Sequence, residues 1–303
     1  MKEELAALAH ELKRLRASGS QSIYLSDNSY DRLEALLTSL PSARPGSNDP
    51  EPIVRRGQSA LPKIELGDEP KPKAKKKESS SAPEIKVPKP PTLQLVDGDK
   101  QVQWDALKAQ VLNDPFCQSQ LKPNKQLVFG VGDLNADIFF CGEAPGAEEE
   151  VEAEPFVGPA GQLLTKIIGA MGLSREQVYI SNIMNYRPPM PGSFGNRPPT
   201  VDELSYCLPY LQSQLDIVKP KVIVALGKTA VDALLGPDSK RKMGEIRGKW
   251  FEFADIPLIP TFHPSYLLRN NTNRTKRMVW EDMMITMECL EMPISEKQKT
   301  YFL

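Results

Sequence analysis

The sequence predicts an α/β protein: a three-layer α/β/α sandwich on a central, mainly parallel four-stranded sheet. Three observations carry that expectation. Through the second half of the 303 residues, short apolar runs alternate with helical ones, the spacing of crossover units that set neighbouring strands parallel. Three of the four strand-like runs end in chemically capable residues: Gly142 and Glu143 after the first, Asn182 in the second, His263 after the fourth. Ligand sites in open parallel sheets lie beyond the C-terminal strand ends, so these residues are expected to converge. The apolar material is also uneven, because many of the 28 prolines precede residue 100. One core of moderate size is therefore expected, not the two domains that length alone suggests.

Residues 1–40 are expected to form a helical segment, with Leu5, Leu8, Leu12 and Leu15 at helical spacing and Leu33, Leu36 and Leu37 in a second pattern. It reads as a helical hairpin or as a tag that docks an unidentified protein partner. Residues 41–100 are rich in Pro, Lys, Glu and Ser and hold too few apolar side chains to offset the entropy of ordering, so a disordered linker is expected. The folded domain is expected over 101–303, opening with a helix over Val102 to Leu112. Strands are expected over Ala136 to Cys141, Val178 to Ile183, Val222 to Leu226 and Leu258 to Phe262. Helices are expected over Gln162 to Met171, Thr200 to Lys219, Lys228 to Leu235 and Lys276 to Leu290.

A net charge of −1 argues against a globally basic nucleic-acid binder, so any such role rests on a local patch. One exists: Arg269, Arg274, Lys276 and Arg277 cluster after His263. The four cysteines are far apart with no CxxC pair, the pattern of reduced thiols in a cytoplasmic protein. No apolar run approaches the roughly 18 residues of a membrane span, and the charged stretch Met1 to Arg16 is not expected to act as a signal peptide.

The stretch from Cys141 to Leu164 carries most of the chemistry. Glu143 sits where a strand yields to a Gly/Pro turn; a carboxylate there either positions water or supports a developing cation, or is an exposed turn residue. The run Glu148-Glu149-Glu150 with Glu152 and Glu154 reads as a solvated loop with one member facing inward. Phe156 either packs in the core or offers a ring face to a base. The glycines around it, including Gly161 before Gln162, let backbone amides approach an anion. His263 either caps a turn or donates to a leaving group, and a leucine beyond it can act as a wedge between bases.

With these residues in place, the domain resembles the uracil-DNA glycosylases of family 4 over roughly Lys125 to Leu290. The similarity lies in GEAPGAEEE (142–150), PFVGPAGQLL (155–164), YISNI (179–183), NRPPT (196–200), IVALG (223–227), IRGKW (246–250) and HPSYLLR (263–269). Each is weak alone; seven in order are specific. The resemblance implies a monofunctional enzyme that hydrolyses the N-glycosidic bond of deoxyuridine in DNA. Glu143 and His263 would be catalytic, and Phe156, Asn182, Glu149 and Gly142 would bind the base. Gly161, Gln162, Leu267, Leu268 and Arg269 would contact DNA, with Leu267 or Leu268 filling the gap left by the flipped nucleotide. Uracil-containing DNA would be the partner and the protein a monomer.

The family usually carries a 4Fe-4S cluster on four cysteines. Here the CxxC is missing, Tyr186 stands before Arg187-Pro188-Pro189 in place of the third ligand, and only Cys207 and Cys117 remain as remnants. No cluster and no other metal is expected, the region being held by packing around Phe116, Tyr186 and Tyr210. A weakly catalytic or non-catalytic binder of uracil-containing or abasic DNA is the alternative; a small-molecule hydrolase rests on fold analogy alone.

Overall fold

The computed structural model describes residues 86–190 and 196–303. The expected helical segment 1–40, and the expected linker as far as residue 85, lie outside the described residues. In chain order the helices are α1 (Lys100–Leu112), α2 (Pro115–Ser119), α3 (Glu149–Glu152), α4 (Pro159–Ala170), α5 (Val201–Val218), α6 (Lys228–Leu235), α7 (Met243–Ile246), α8 (Pro264–Arg269), α9 (Asn273–Cys289) and α10 (Glu296–Lys299). The strands are β1 (Val131–Gly132), β2 (Ile138–Gly142), β3 (Tyr179–Asn182), β4 (Val222–Leu226), β5 (Phe251–Phe253) and β6 (Ile256–Thr261).

The sheet runs β1-β3-β2-β4-β6-β5. Its central four strands are the four predicted, all parallel; Gly142 of β2 lies beside Asn182 of β3, and Cys141 beside Ala225 of β4. The expectation of four strands is corrected to six, because β1 and β5 add antiparallel edges. Strands of two and three residues are too short to show alternation. The β5–β6 hairpin turns on Ala254 and Asp255, both at positive φ (51° and 61°), as a tight primed turn requires, but without the Asn-Gly or Asp-Gly pair that would announce it.

Side chains alternate across a strand, so β2 serves both faces of the sheet. Phe139 and Cys141 point into one core with α1, α2, α5 and α6. Ile138 and Phe140 point into the other with Phe156, α4 and α9. Both phenylalanines are fully buried, each contributing about 1.5–3 kcal/mol. The two helical layers and the sheet make the predicted sandwich.

Local signals set the helix ends. Thr200 and Glu203 form a reciprocal capping box at the start of α5, with bonds of 3.2 and 2.8 Å. The Glu203 carboxylate also takes Arg197 at 2.7 and 2.5 Å, so NRPPT is a helix-starting device. IRGKW has a parallel role: Arg247 pairs at 2.7 Å with Asp282 of α9, which also accepts from Thr261 at the end of β6 at 2.6 Å. Burial pushes the Asp282 carboxyl up to about 6.

The domain gathers chain before residue 101. Val87, Leu93 and Leu95 pack against the first core. Lys100 donates to the carbonyls of Leu134 and Val218 at 2.8 and 2.9 Å, latching the start of α1. Among the described residues no helix is long and apolar enough to cross a membrane.

Candidate active site

Beyond the C-terminal ends of the central strands lies a cavity of about 330 Å3, lined by Glu143, Glu149, Phe156, Asn182, His263 and Arg269 among others. The predicted residues from three strand ends and two loops therefore meet. After β2 and β3 separate, backbone pairing continues: Ile183 and Met184 donate to the carbonyls of Gly142 and Glu143 at 2.9 and 3.1 Å. This holds the Glu143 backbone beside Asn182. Gly142 allows the close approach, because a Cβ there would collide with the Asn182 amide oxygen and the Phe156 ring. The Asn182 side chain is buried, and its amide oxygen has no hydrogen-bond partner. A buried, unpaired acceptor in a cavity wall favours a ligand that brings a donor.

His263 caps α8 at the end of β6. The Ser265 backbone N–H donates to its Nδ1 at 3.1 Å, with the Ser265 hydroxyl 2.9 Å from the same nitrogen. An Nδ1 that accepts an amide proton leaves the ring proton on Nε2. Shielding of the ring from water, then the charge of Arg269, lowers its pKa to about 4. The imidazole is thus a neutral donor at ordinary pH. Its ring centre lies 5.6 Å from that of Phe156, the planes tilted by 31°.

The acidic run turns two members inward, not the one expected: Glu149 and Glu150 are buried in α3, while Glu148 and Glu152 are exposed as a solvated loop requires. Glu149 accepts from the backbone amides of Gly146, Val157 and Gly158 at 3.0, 3.2 and 3.0 Å, closing the loop that carries Phe156. Glu150 pairs with Arg187 at 2.9 Å and Lys125 at 3.4 Å. The composition hid both roles, because the partners are backbone amides and cations distant in sequence.

The expected DNA-contact residues divide. Gln162 and Arg269 are exposed. Gly161 is buried, and a Cβ there would strike the Phe156 backbone, so it seats α4 against the phenylalanine. Leu267 is 3% exposed where α8 meets α4, which takes it out of the wedge role, whereas Leu268 is 41% exposed. Arg277 leaves the expected phosphate-facing cluster too, committed to Glu281 and to the carbonyls of Lys299 and Tyr301. Sequence reasoning missed Asn196, Lys228 and Ser265, which also line the cavity. Of these, Ser265 was legible as the hydroxyl two residues after the histidine.

The region of the family's cluster ligands does not suit such a group. Cys117 and Cys207 are fully buried, and a hydrogen bond with Cys207, then burial, pushes the Cys117 thiol upward. Tyr186 is also fully buried, its ring edge-on to Phe116 at 6.1 Å. Phe116 meets Tyr206 at 4.5 Å. Beneath them Asp114 accepts from the Tyr206 and Tyr210 hydroxyls, each at 2.8 Å, and from the Cys117 amide at 2.6 Å. Two thiols and a plug of rings do not fit a cluster that needs about four thiolates. Among the described residues no three of His, Cys, Asp and Glu gather as a metal-ligand set.

Residues 129–284 match the family model described as the uracil DNA glycosylase superfamily. The chain is 44% identical over 159 residues to the type-4 uracil-DNA glycosylase of Thermotoga maritima, covering 52% of this chain and 79% of that protein. It is 38% identical over 214 residues to the type-4 uracil-DNA glycosylase of Sulfurisphaera tokodaii, covering 66% and 90%. A type-5 uracil-DNA glycosylase of Pyrobaculum aerophilum is 31% identical over 158 residues, covering 47% and 67%.

Proposed function

Because the chain belongs to the uracil DNA glycosylase superfamily, we propose that it is a monofunctional DNA glycosylase that releases uracil from DNA and leaves an abasic site. The observation that carries this reading is the meeting of Glu143, Phe156, Asn182 and His263 around one cavity. The nucleotide is flipped out of the stack, at a cost of a few kcal/mol that is least at a mismatch or in a single strand. Leu268 fills the gap, with Arg269, Arg274 and Lys276 on the phosphates.

In the cavity, uracil stacks on Phe156 and offers its N3–H to the unpaired Asn182 oxygen. The bond between the sugar C1′ and the base N1 breaks with its electron pair passing to the base. Charge builds on O2, where the His263 Nε2–H donates without giving up its proton. Glu143 supports the positive sugar and orients the water whose oxygen bonds C1′; that water gives up one proton, which ends on the departed uracil anion, leaving free uracil and an abasic sugar. Glu149, through the loop it closes, limits the room beside C5, where thymine carries a methyl. The protein acts without an iron–sulfur cluster and as a monomer.

The test is a uracil-containing oligonucleotide followed by alkaline cleavage. Strand scission is expected, and its absence with pure protein beside an active control enzyme rejects catalysis. A stable gel-shift without product would favour the binding alternative. His263→Ala and Glu143→Ala should each lower turnover about 100- to 1,000-fold, the usual loss of one transition-state partner, with little change in affinity for uracil DNA. Iron and sulfide analysis after anaerobic purification should find no cluster; a stoichiometric cluster would overturn that part.

A further inference from the structure

Phe156 has φ 57°, a left-handed conformation that residues with a side chain rarely adopt and that persists only where the surroundings impose it. Two opposite charges grip the chain on either side of the phenylalanine. The Glu149 carboxylate takes the amides of Val157 and Gly158, just after it. The Arg175 guanidinium takes the carbonyls of Phe156 and of Pro155, just before it: Nη1 to Phe156 at 3.0 Å and Nη2 to Pro155 at 2.8 Å. Nη2 also reaches Glu154 at 3.2 Å, and Nη1 the Thr165 hydroxyl on α4 at 3.3 Å.

Arg175 opens a one-turn 3-10 helix just before β3, and its side chain is 17% exposed. It does not line the cavity. Its planar fork matches two successive carbonyls in a way that the single ammonium of lysine does not. We propose that Arg175 is a positioning residue for base recognition: it locks Phe156 in the backbone state that presents the ring to the flipped base, so an arginine outside the pocket sets how the pocket stacks. The inference deepens the glycosylase reading and rests on it.

The experiment is a double-mutant cycle on single-stranded uracil oligonucleotide under single-turnover conditions. Base–aromatic stacking bounds the effect, so Arg175→Ala should slow base release by about 5- to 150-fold, and by no more than Phe156→Ala. The double variant should be no slower than Phe156→Ala alone, because the arginine acts only through the ring. Guanidinium ion at sub-denaturing concentration should speed Arg175→Ala but neither Phe156→Ala nor the double variant. Glu154→Gln, which leaves both carbonyl contacts in place, should stay within about 2-fold of wild type.

Losses that multiply in the double variant would overturn the inference, as would an Arg175→Ala rate within about 2-fold of wild type. If Arg175→Ala does not fold, Arg175→Lys, which keeps the charge and one carbonyl contact, takes its place in the cycle, where non-additive losses uphold the clamp and multiplying losses sink it. If wild type cleaves nothing, the glycosylase reading falls. The cycle is then read in the preference for binding uracil- over thymine-containing oligonucleotide, where non-additivity still upholds the clamp and additivity still sinks it.

Discussion

The imidazole of His263 is held at Nδ1 by the amide and hydroxyl of Ser265, and its shielding from water has a consequence whose sign can be checked. Its folded-state pKa of about 4 lies below the ordinary 6.5, so the unfolded chain binds a proton that the folded chain refuses between those values. Stability linked to this group is therefore complete above pH 6.5 and is lost as pH falls towards 4. The same shift keeps Nε2 a neutral donor, so the rate of uracil release should run flat through pH 6.5 and fall only near pH 4. A midpoint near 6.5 in single-turnover rates would mean that the ring is solvated and charged. Asn182→Asp exchanges the unpaired amide proposed to meet N3–H for a carboxylate, and release of cytosine should become measurable beside that of uracil. Asn182 and His263 were legible in the sequence because each ends a strand in a parallel pattern. The resemblance singled out Glu149, but the acidic run alone did not say which glutamate turns inward, because three backbone amides that come together only in the folded loop decide it.

At the scale of elements, α2 and α5 are joined through one carboxylate. Burial raises the Asp114 pKa, but the Cys117 amide and the Tyr210 and Tyr206 hydroxyls outweigh it and hold the group below its ordinary 3.8. Its contribution to stability is thus present above pH 3.8 and is lost as pH falls through the depressed folded-state value. Asp114→Ala removes the cap of α2 and leaves two tyrosine hydroxyls unpaired, a loss of about 3 kcal/mol. Urea unfolding should show that loss, and wild-type stability in the variant would mean that the ring plug holds without its carboxylate. The plug was anticipated only as packing around Phe116, Tyr186 and Tyr210; no pattern links Asp114 to hydroxyls 92 and 96 residues away. The four central strands were legible from apolar runs, whereas β1 and β5 are too short to carry a period.

For the whole molecule, the boundary of the folding unit is the testable quantity. Composition placed it at 101, since 41–100 is rich in proline and charge, but Val87, Leu93 and Leu95 reach the core. A chain beginning at residue 86 should keep the stability and uracil-release rate of the full chain. One beginning at residue 101 loses those contacts and the Lys100 latch, and should be less stable by about 2–4 kcal/mol. Equal melting temperatures for the two would show that the preceding segment only rests on the surface.

The alternation along β2 has a consequence of another kind. Cys141 and Phe139 look towards the tyrosine plug, and Ile138 and Phe140 look towards the loop that carries Phe156. The sheet is a party wall between two rooms, one filled by the tyrosine plug and one by the loop that carries Phe156. A lineage can refurnish the first room without disturbing the second, because the two buried sets share no side chain. Ring substitutions at Tyr206 and at Phe156 should accordingly combine as independent changes, the signature of two modules free to evolve apart.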